Sequence, residues 1–132
     1  MATKINLDYR VKGNENLFDD VAKEWAEIIE VAKCKNKKDK LVDMKTKKTQ
    51  LRNFYDKVLE LENKSKKEEW SDVLPFVKML NSKVAYAHTR EVINCEFQNM
   101  MTQCISQIKT KEDLSKFKLF FEAVLGFFKG SN

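Results

Sequence analysis

Apolar residues return every three or four positions along almost the whole chain, and only one proline and three glycines interrupt them. A run of that period can bury one continuous face only as a helix, so the pattern predicts an all-α protein. The abundance of Lys, Glu and Leu and the scarcity of β-branched runs point the same way. At 132 residues the chain fits one domain with one sizeable core.

Five stripes predict five helices. In the first, Phe18, Val21, Ala22, Trp25, Ile29 and Ala32 share a face. Asn16 is the expected cap, with Asp19 and Asp20 in the first turn and Lys33 and Lys35 at the far end. The second runs from near Met44 to about Asn63 on Leu51, Phe54, Tyr55, Val58 and Leu59, with Thr46 or Thr49 as N-cap. A polar linker, Lys64–Lys67, follows, in which Ser65 and Glu68 have capping-box spacing. The third carries Val73, Val77, Leu80, Val84 and Ala87, and starts near Ser71 so that Pro75 falls in its first turn.

Ile93, Phe97, Met100, Met101, Cys104 and Ile108 define the fourth helix, but their stripe is out of phase with the third by about half a turn. That shift predicts a turn around His88–Glu91, although no glycine or proline enforces it. Straightening it would give a helix long enough to exchange its far half with another copy. Thr110 with Asp113 opens the fifth helix. Its apolar arc of Leu114, Phe117, Phe120, Phe121, Val124, Leu125, Phe127 and Phe128 is wide enough to be central to the bundle or partly reserved for a partner.

The bundle is expected over 16–130, leaving 1–15 as an N-terminal arm. Residues 4–12 alternate, with Ile5, Leu7, Tyr9 and Val11 on one side, yet no second strand is available for pairing. The expectation is therefore an extended or disordered segment, loosely attached or docked on its own helices or a neighbouring subunit.

Charge is concentrated. From Lys33 to Lys48 eight lysines face only Asp39 and Asp43, a local balance of +6 within a formal total of +5. Such focusing implies a local anionic partner. Leu41 and Val42 are expected to pin this stretch to the core. Lys45, Lys47, Lys48 and Arg52 then crowd the start of the second helix, where free N–H groups and the dipole favour a phosphate; a merely solvated basic patch is the alternative. Along the third helix Lys83, Tyr86 and Arg90 form a second stripe. Two cations around a ring suit a nucleotide chain, and the competing reading makes Tyr86 a boundary core residue.

Nothing in the sequence resembles a signal peptide or a spanning apolar run, and Cys34, Cys95 and Cys104 have no metal-ligand spacing. These features predict a cytoplasmic protein with reduced thiols and no membrane partner. Cys95 and Cys104 read as small buried hydrophobes, and Met79, Met100 and Met101 as core fillers. A single histidine and the lack of a glycine-rich loop after a strand leave no catalytic constellation, metal site or cofactor cradle to propose.

Three segments carry a family likeness. Lys48-Thr49-Gln50-Leu51-Arg52-Asn53-Phe54-Tyr55 resembles the T-S-Q-L-R-K-F-Y segment of the small subunit of Csm, the type III-A CRISPR interference complex, with Thr49 replacing the serine. The stretch from Leu74 to Ala87 resembles its L-P-x-x-K-M-L-x-x-K-x-A-Y-A segment, with Arg90 following. Phe117, then Phe120-Phe121-Glu122-Ala123-Val124, resembles its closing F-x-x-F-F-E-A-V segment, and Ala22-Lys23-Glu24-Trp25-Ala26 is similar to its first helix.

The resemblance implies a five-helix, non-catalytic subunit. Several copies would line an RNA-guided complex beside its backbone and large subunits, in contact with CRISPR RNA and target RNA. It marks Lys48, Arg52, Lys83 and Arg90 as RNA-facing, while Lys45 and Lys47 join them by charge alone. Glu122 is expected to cap or to pair with a neighbouring base. The rival function is a helical protein–protein adaptor that uses the aromatic face of the fifth helix, its lysines serving solubility.

Overall fold

A computed structural model describes residues 3–130. It is predominantly helical: α1 (Ala22–Glu30), α2 (Lys48–Ser65), α3 (Trp70–Thr89), α4 (Cys95–Ile105) and α5 (Lys111–Phe127), with a π-helical turn, Leu17–Val21, leading into α1. Asn16 precedes that turn without capping it through its side chain. The five stripes form one continuous core around Trp25, Phe97, Phe117, Phe120 and Phe121, all fully buried.

α5 packs between α1 and α2, and its aromatic arc is consumed there: Phe54, Tyr55, Phe97, Phe117 and Phe121 form a chain of tilted and edge-on ring contacts. The fifth helix is thus central, and Leu119 is its one large apolar side chain left exposed. Thr110 and Asp113 form the expected capping box. Ser65 does not cap; it ends α2, its hydroxyl donating to the Glu62 carbonyl.

The lysine-rich connection departs from the all-helical expectation. α1 stops at Glu30, so Lys33 and Lys35 enter a small antiparallel hairpin, β1 (Lys33–Lys35) with β2 (Leu41–Asp43), turned at Asp39 with φ +60°. Val42 packs beside a minor core of Ala32, Cys34 and Met44, whereas Leu41 faces solvent and pins nothing. The hairpin folds back onto the start of α4, which brings the Cα atoms of Cys34 and Cys95 to 5.8 Å, and the two sulfurs are bonded. The expectation of three reduced thiols is corrected for this pair, since a separation of 61 positions along the chain hid their proximity. Cys104 is a free, fully buried thiol whose pKa burial pushes up.

Asn94 holds the hairpin exit, α1 and α4 together. It is fully buried. Its backbone N–H donates to Thr46 Oγ1 at 2.8 Å, and its amide nitrogen donates to the carbonyls of Ile29 (2.8 Å) and Met44 (3.0 Å). Its Oδ1 caps α4 by accepting from Phe97 N–H. Thr46 is therefore spent on this cross-link, and α2 begins after Lys47 with no side-chain cap.

The turn between α3 and α4 sits where the phase shift placed it. Val92 N–H bonds back to the Ala87 carbonyl and Glu91 N–H to that of His88, the double closure of a Schellman motif. Glu91 occupies the left-handed position with φ +60°, where glycine is usual.

The arm is extended but not loosely attached. Ile5 and Leu7 are buried in the main core. Gln103 of α4 and Gln107, in the turn just past its end, substitute for a neighbouring strand. Their Oε1 atoms accept from Ile5 N–H (3.1 Å) and Leu7 N–H (2.9 Å), and Gln107 Nε2 donates to the Ile5 carbonyl (2.7 Å). Trp25 donates to the Thr3 carbonyl, and buried Lys116 of α5 pairs with Asp8 at 3.3 Å. Side chains thus satisfy the backbone groups that a missing second strand would have left unpaired.

Candidate nucleic-acid interface

α2 and α3 lie side by side and leave a groove between them. Its wider part, about 590 Å³, is bordered by Gln50, Asn53 and Lys57 of α2, by Lys83 and Tyr86 of α3, and by Arg90, which caps the end of α3. A second part of about 300 Å³ continues it past Lys64, Phe76 and Met79, the two sharing Lys57, Glu60 and Lys83. Helical spacing explains the α3 wall: Phe76, Met79, Lys83, Tyr86 and Arg90 follow i, i+3, i+7, i+10, i+14, a single stripe beside the buried Val73, Val77, Leu80, Val84 and Ala87.

The stripe is wet. Tyr86 is 64% exposed and Phe76 53%, so Tyr86 is not a boundary core residue and Met79, also exposed, is not core filler. The Arg90 guanidinium lies 5.5 Å from the centroid of the Tyr86 ring, and Lys64 Nζ is 6.0 Å from that of Phe76. Four cations in the groove, Lys57, Lys64, Lys83 and Arg90, outnumber the carboxylates of Asp56 and Glu60. Glu60 meets Lys64 at 3.9 Å, and among the described residues Lys57, Lys83 and Arg90 enter no ion pair. Such a groove suits an anionic chain that also presents flat rings.

The remaining sequence-derived cations lie elsewhere. Lys45 and Lys47 border a different concavity with Val31 and Lys129, and Lys45 Nζ donates to the Glu30 carbonyl at 3.4 Å. Lys48 and Arg52 point roughly 100–150° around the α2 axis from the mean direction of Asn53, Lys57 and Glu60. They share the flank through which Tyr55 meets α5. Arg52 and Arg90 therefore do not converge on one groove.

On that flank Glu122 accepts from Tyr55 Oη (3.1 Å) and pairs with the basic side chain of Lys118 (3.2 Å), one of the two structural roles expected of it. Lys118 and then Tyr55 hold its carboxyl below the usual range, while burial and then the Glu122 contact raise the Tyr55 phenol. Phe76, Lys57 and Lys64 went unread as site residues in the sequence. The i, i+10 spacing of Phe76 and Tyr86, in line with Lys83 and Arg90, was the available signal.

Among the described residues no group of three or more His, Cys, Asp and Glu side chains is arranged to hold a metal ion. No helix in the described residues is long and apolar enough to cross a membrane. No curated protein and no solved structure matches the chain significantly. The family description Csm2 Type III-A matches residues 14–132, which takes in all five helices, the hairpin and the α2–α3 groove but only the last two residues of the arm. The chain belongs to the Csm2 type III-A family, the small-subunit family of the Csm complex.

Proposed function

We propose that this protein is a non-catalytic, RNA-binding small subunit of the type III-A CRISPR effector, acting in the cytoplasm in antiviral defence. It holds CRISPR RNA and target RNA by their phosphates, while base pairing supplies the sequence specificity. Its protein partners are the backbone and large subunits of the complex and further copies of itself. Repetition along the assembly multiplies a weak individual contact.

The observation that carries the reading is the α2–α3 groove, where Lys83 and Arg90 flank Tyr86 without carboxylate partners among the described residues. Lys48 and Arg52 form a second basic surface on the Tyr55 flank of α2, and Lys45 and Lys47 lie at the separate concavity beside Val31 and Lys129; the same polynucleotide reaches either only by leaving the groove. If the four groove cations contact single-stranded RNA, the log–log salt slope is about −3, and removing two of them reduces it by about 1.4. Fluorescence anisotropy with unrelated RNA sequences tests this. Lys83→Glu with Arg90→Glu should weaken all of them equally, and unchanged affinity would refute the groove. Lys48→Glu with Arg52→Glu, measured beside it, reads the second surface in the same way.

The adaptor alternative needs a free aromatic face on α5, whose Phe117, Phe120 and Phe121 are fully buried. Capture of Csm subunits that survives ribonuclease and high salt, without any RNA shift, would favour it nonetheless.

A further inference from the structure

We infer that the α2–α3 groove takes an unpaired RNA strand, stacking bases on Phe76 and Tyr86, and discriminates against duplex. The inference rests on the RNA-binding reading above and assigns the strand state that the groove selects. Phe76 and Tyr86 stand ten residues apart on one face of α3, about 15 Å along the axis. That distance spans about four steps of a strand stacked at ~3.4 Å.

Each ring has a cation at 5.5–6.0 Å and more than half of its residue still exposed. Lys57 and Lys83, free of ion pairs among the described residues, lie in the shared middle of the groove, where a backbone joining the two stacked bases would run. An A-form duplex keeps its base faces inside its own stack, so paired nucleotides have nothing to offer either ring. The lysines alone would attract either form; the two aromatics tip the balance toward single strand. Asp56 and Glu60 on the α2 wall weaken purely electrostatic capture and so raise the share that stacking must supply.

The test is anisotropy with the full chain, using one short single-stranded RNA of mixed sequence and the blunt duplex formed from it. The single strand should bind more tightly. Phe76→Ala should cost it about 5-fold or more, the alanine effect of losing one stacked base, with duplex affinity unmoved. Phe76→Trp should restore binding, whereas Phe76→Leu, which keeps apolar bulk, should not. Circular dichroism of each variant confirms folding, and Phe76 is exposed enough for the exchange to be tolerated.

Duplex binding equal to or tighter than single strand would overturn the inference. So would a Phe76→Ala variant that keeps its RNA affinity, including one that instead loses self-association or capture of other Csm subunits, which would mark the stripe as a protein contact. Loss of all RNA binding by the unaltered chain would overturn the RNA-binding reading itself. Tight single-strand binding that ignores Phe76 and Tyr86 would leave that reading standing and remove only the stacking.

Discussion

Replacing Asn94 by alanine withdraws three hydrogen bonds from a site that water cannot reach. The carbonyls of Ile29 and Met44 lose their donors, and Phe97 N–H loses its cap. A buried acceptor left without a donor costs roughly 1–3 kcal/mol, and removing a capping side chain about 1. The sum is roughly 3–7 kcal/mol, a large part of the 5–15 kcal/mol typical of a domain.

Asn94→Ser separates the contributions, since a hydroxyl keeps the cap and forfeits both carbonyls; it should recover about 1 kcal/mol. Asn94→Asp keeps the cap but turns an anionic oxygen toward two carbonyl oxygens, so it should be at least as damaging as alanine near neutral pH. Its carboxyl pKa would rise in the folded state, and its deficit relative to the parent should shrink as pH falls. Urea unfolding followed by the fluorescence of buried Trp25 measures all three. An Asn94→Ala midpoint within about 1 kcal/mol of the parent at unchanged m would refute the reasoning, because it would mean those carbonyls do not depend on Asn94.

Glu91→Gly should stabilise the protein by about 1 kcal/mol by relieving the left-handed backbone, read as a higher denaturation midpoint; Glu91→Val should do the opposite. Gln103→Ala with Gln107→Ala should abolish hydrogen-exchange protection of the Ile5 and Leu7 amides and leave α3 protected. Equal protection in that variant would mean the arm is held by burial alone. The carboxyls of Asp8, Glu24 and Glu122 sit below their ordinary range. Asp8 is lowered chiefly by the Arg10 backbone N–H, Glu24 by Thr3, and Glu122 by Lys118. A depressed folded pKa adds stability above the unfolded value, lost as pH falls through the folded one. Stability should therefore decline on acidification below about pH 4, and Asp8→Asn with Glu24→Gln should flatten that decline.

The helices were legible because each must hide a face, and the stripe residues Trp25, Val58, Val77, Phe97 and Phe121 are indeed buried. The α3–α4 turn was legible from phase alone, although the residue that makes it, Glu91, carries no turn signal. What sequence could not supply was cross-chain chemistry. Thr46 looked like a helix cap until Asn94 arrived from 48 residues away. The arm looked unpartnered because its partners are glutamine side chains and not a strand. Lys48, Arg52, Lys83 and Arg90 were all read as RNA-facing, but helix rotation turns Lys48 and Arg52 away from the groove that Lys83 and Arg90 line. Phe76 was passed over because an aromatic in an apolar helix reads as core until its neighbours are known.

The docking of the arm sets an order of events. Residues 3–8 emerge during synthesis about a hundred positions ahead of Gln103, Gln107 and Lys116, the groups that receive them, with separations of 98 to 108 along the chain. Closing so long a loop is entropically slow, and Ile5 and Leu7 must wait in water until α4 and α5 exist. Residues 3–8, made long before their partners, are then among the last to find their seat, and the folding of this small helical protein should end with a latch that waits for groups in its C-terminal half.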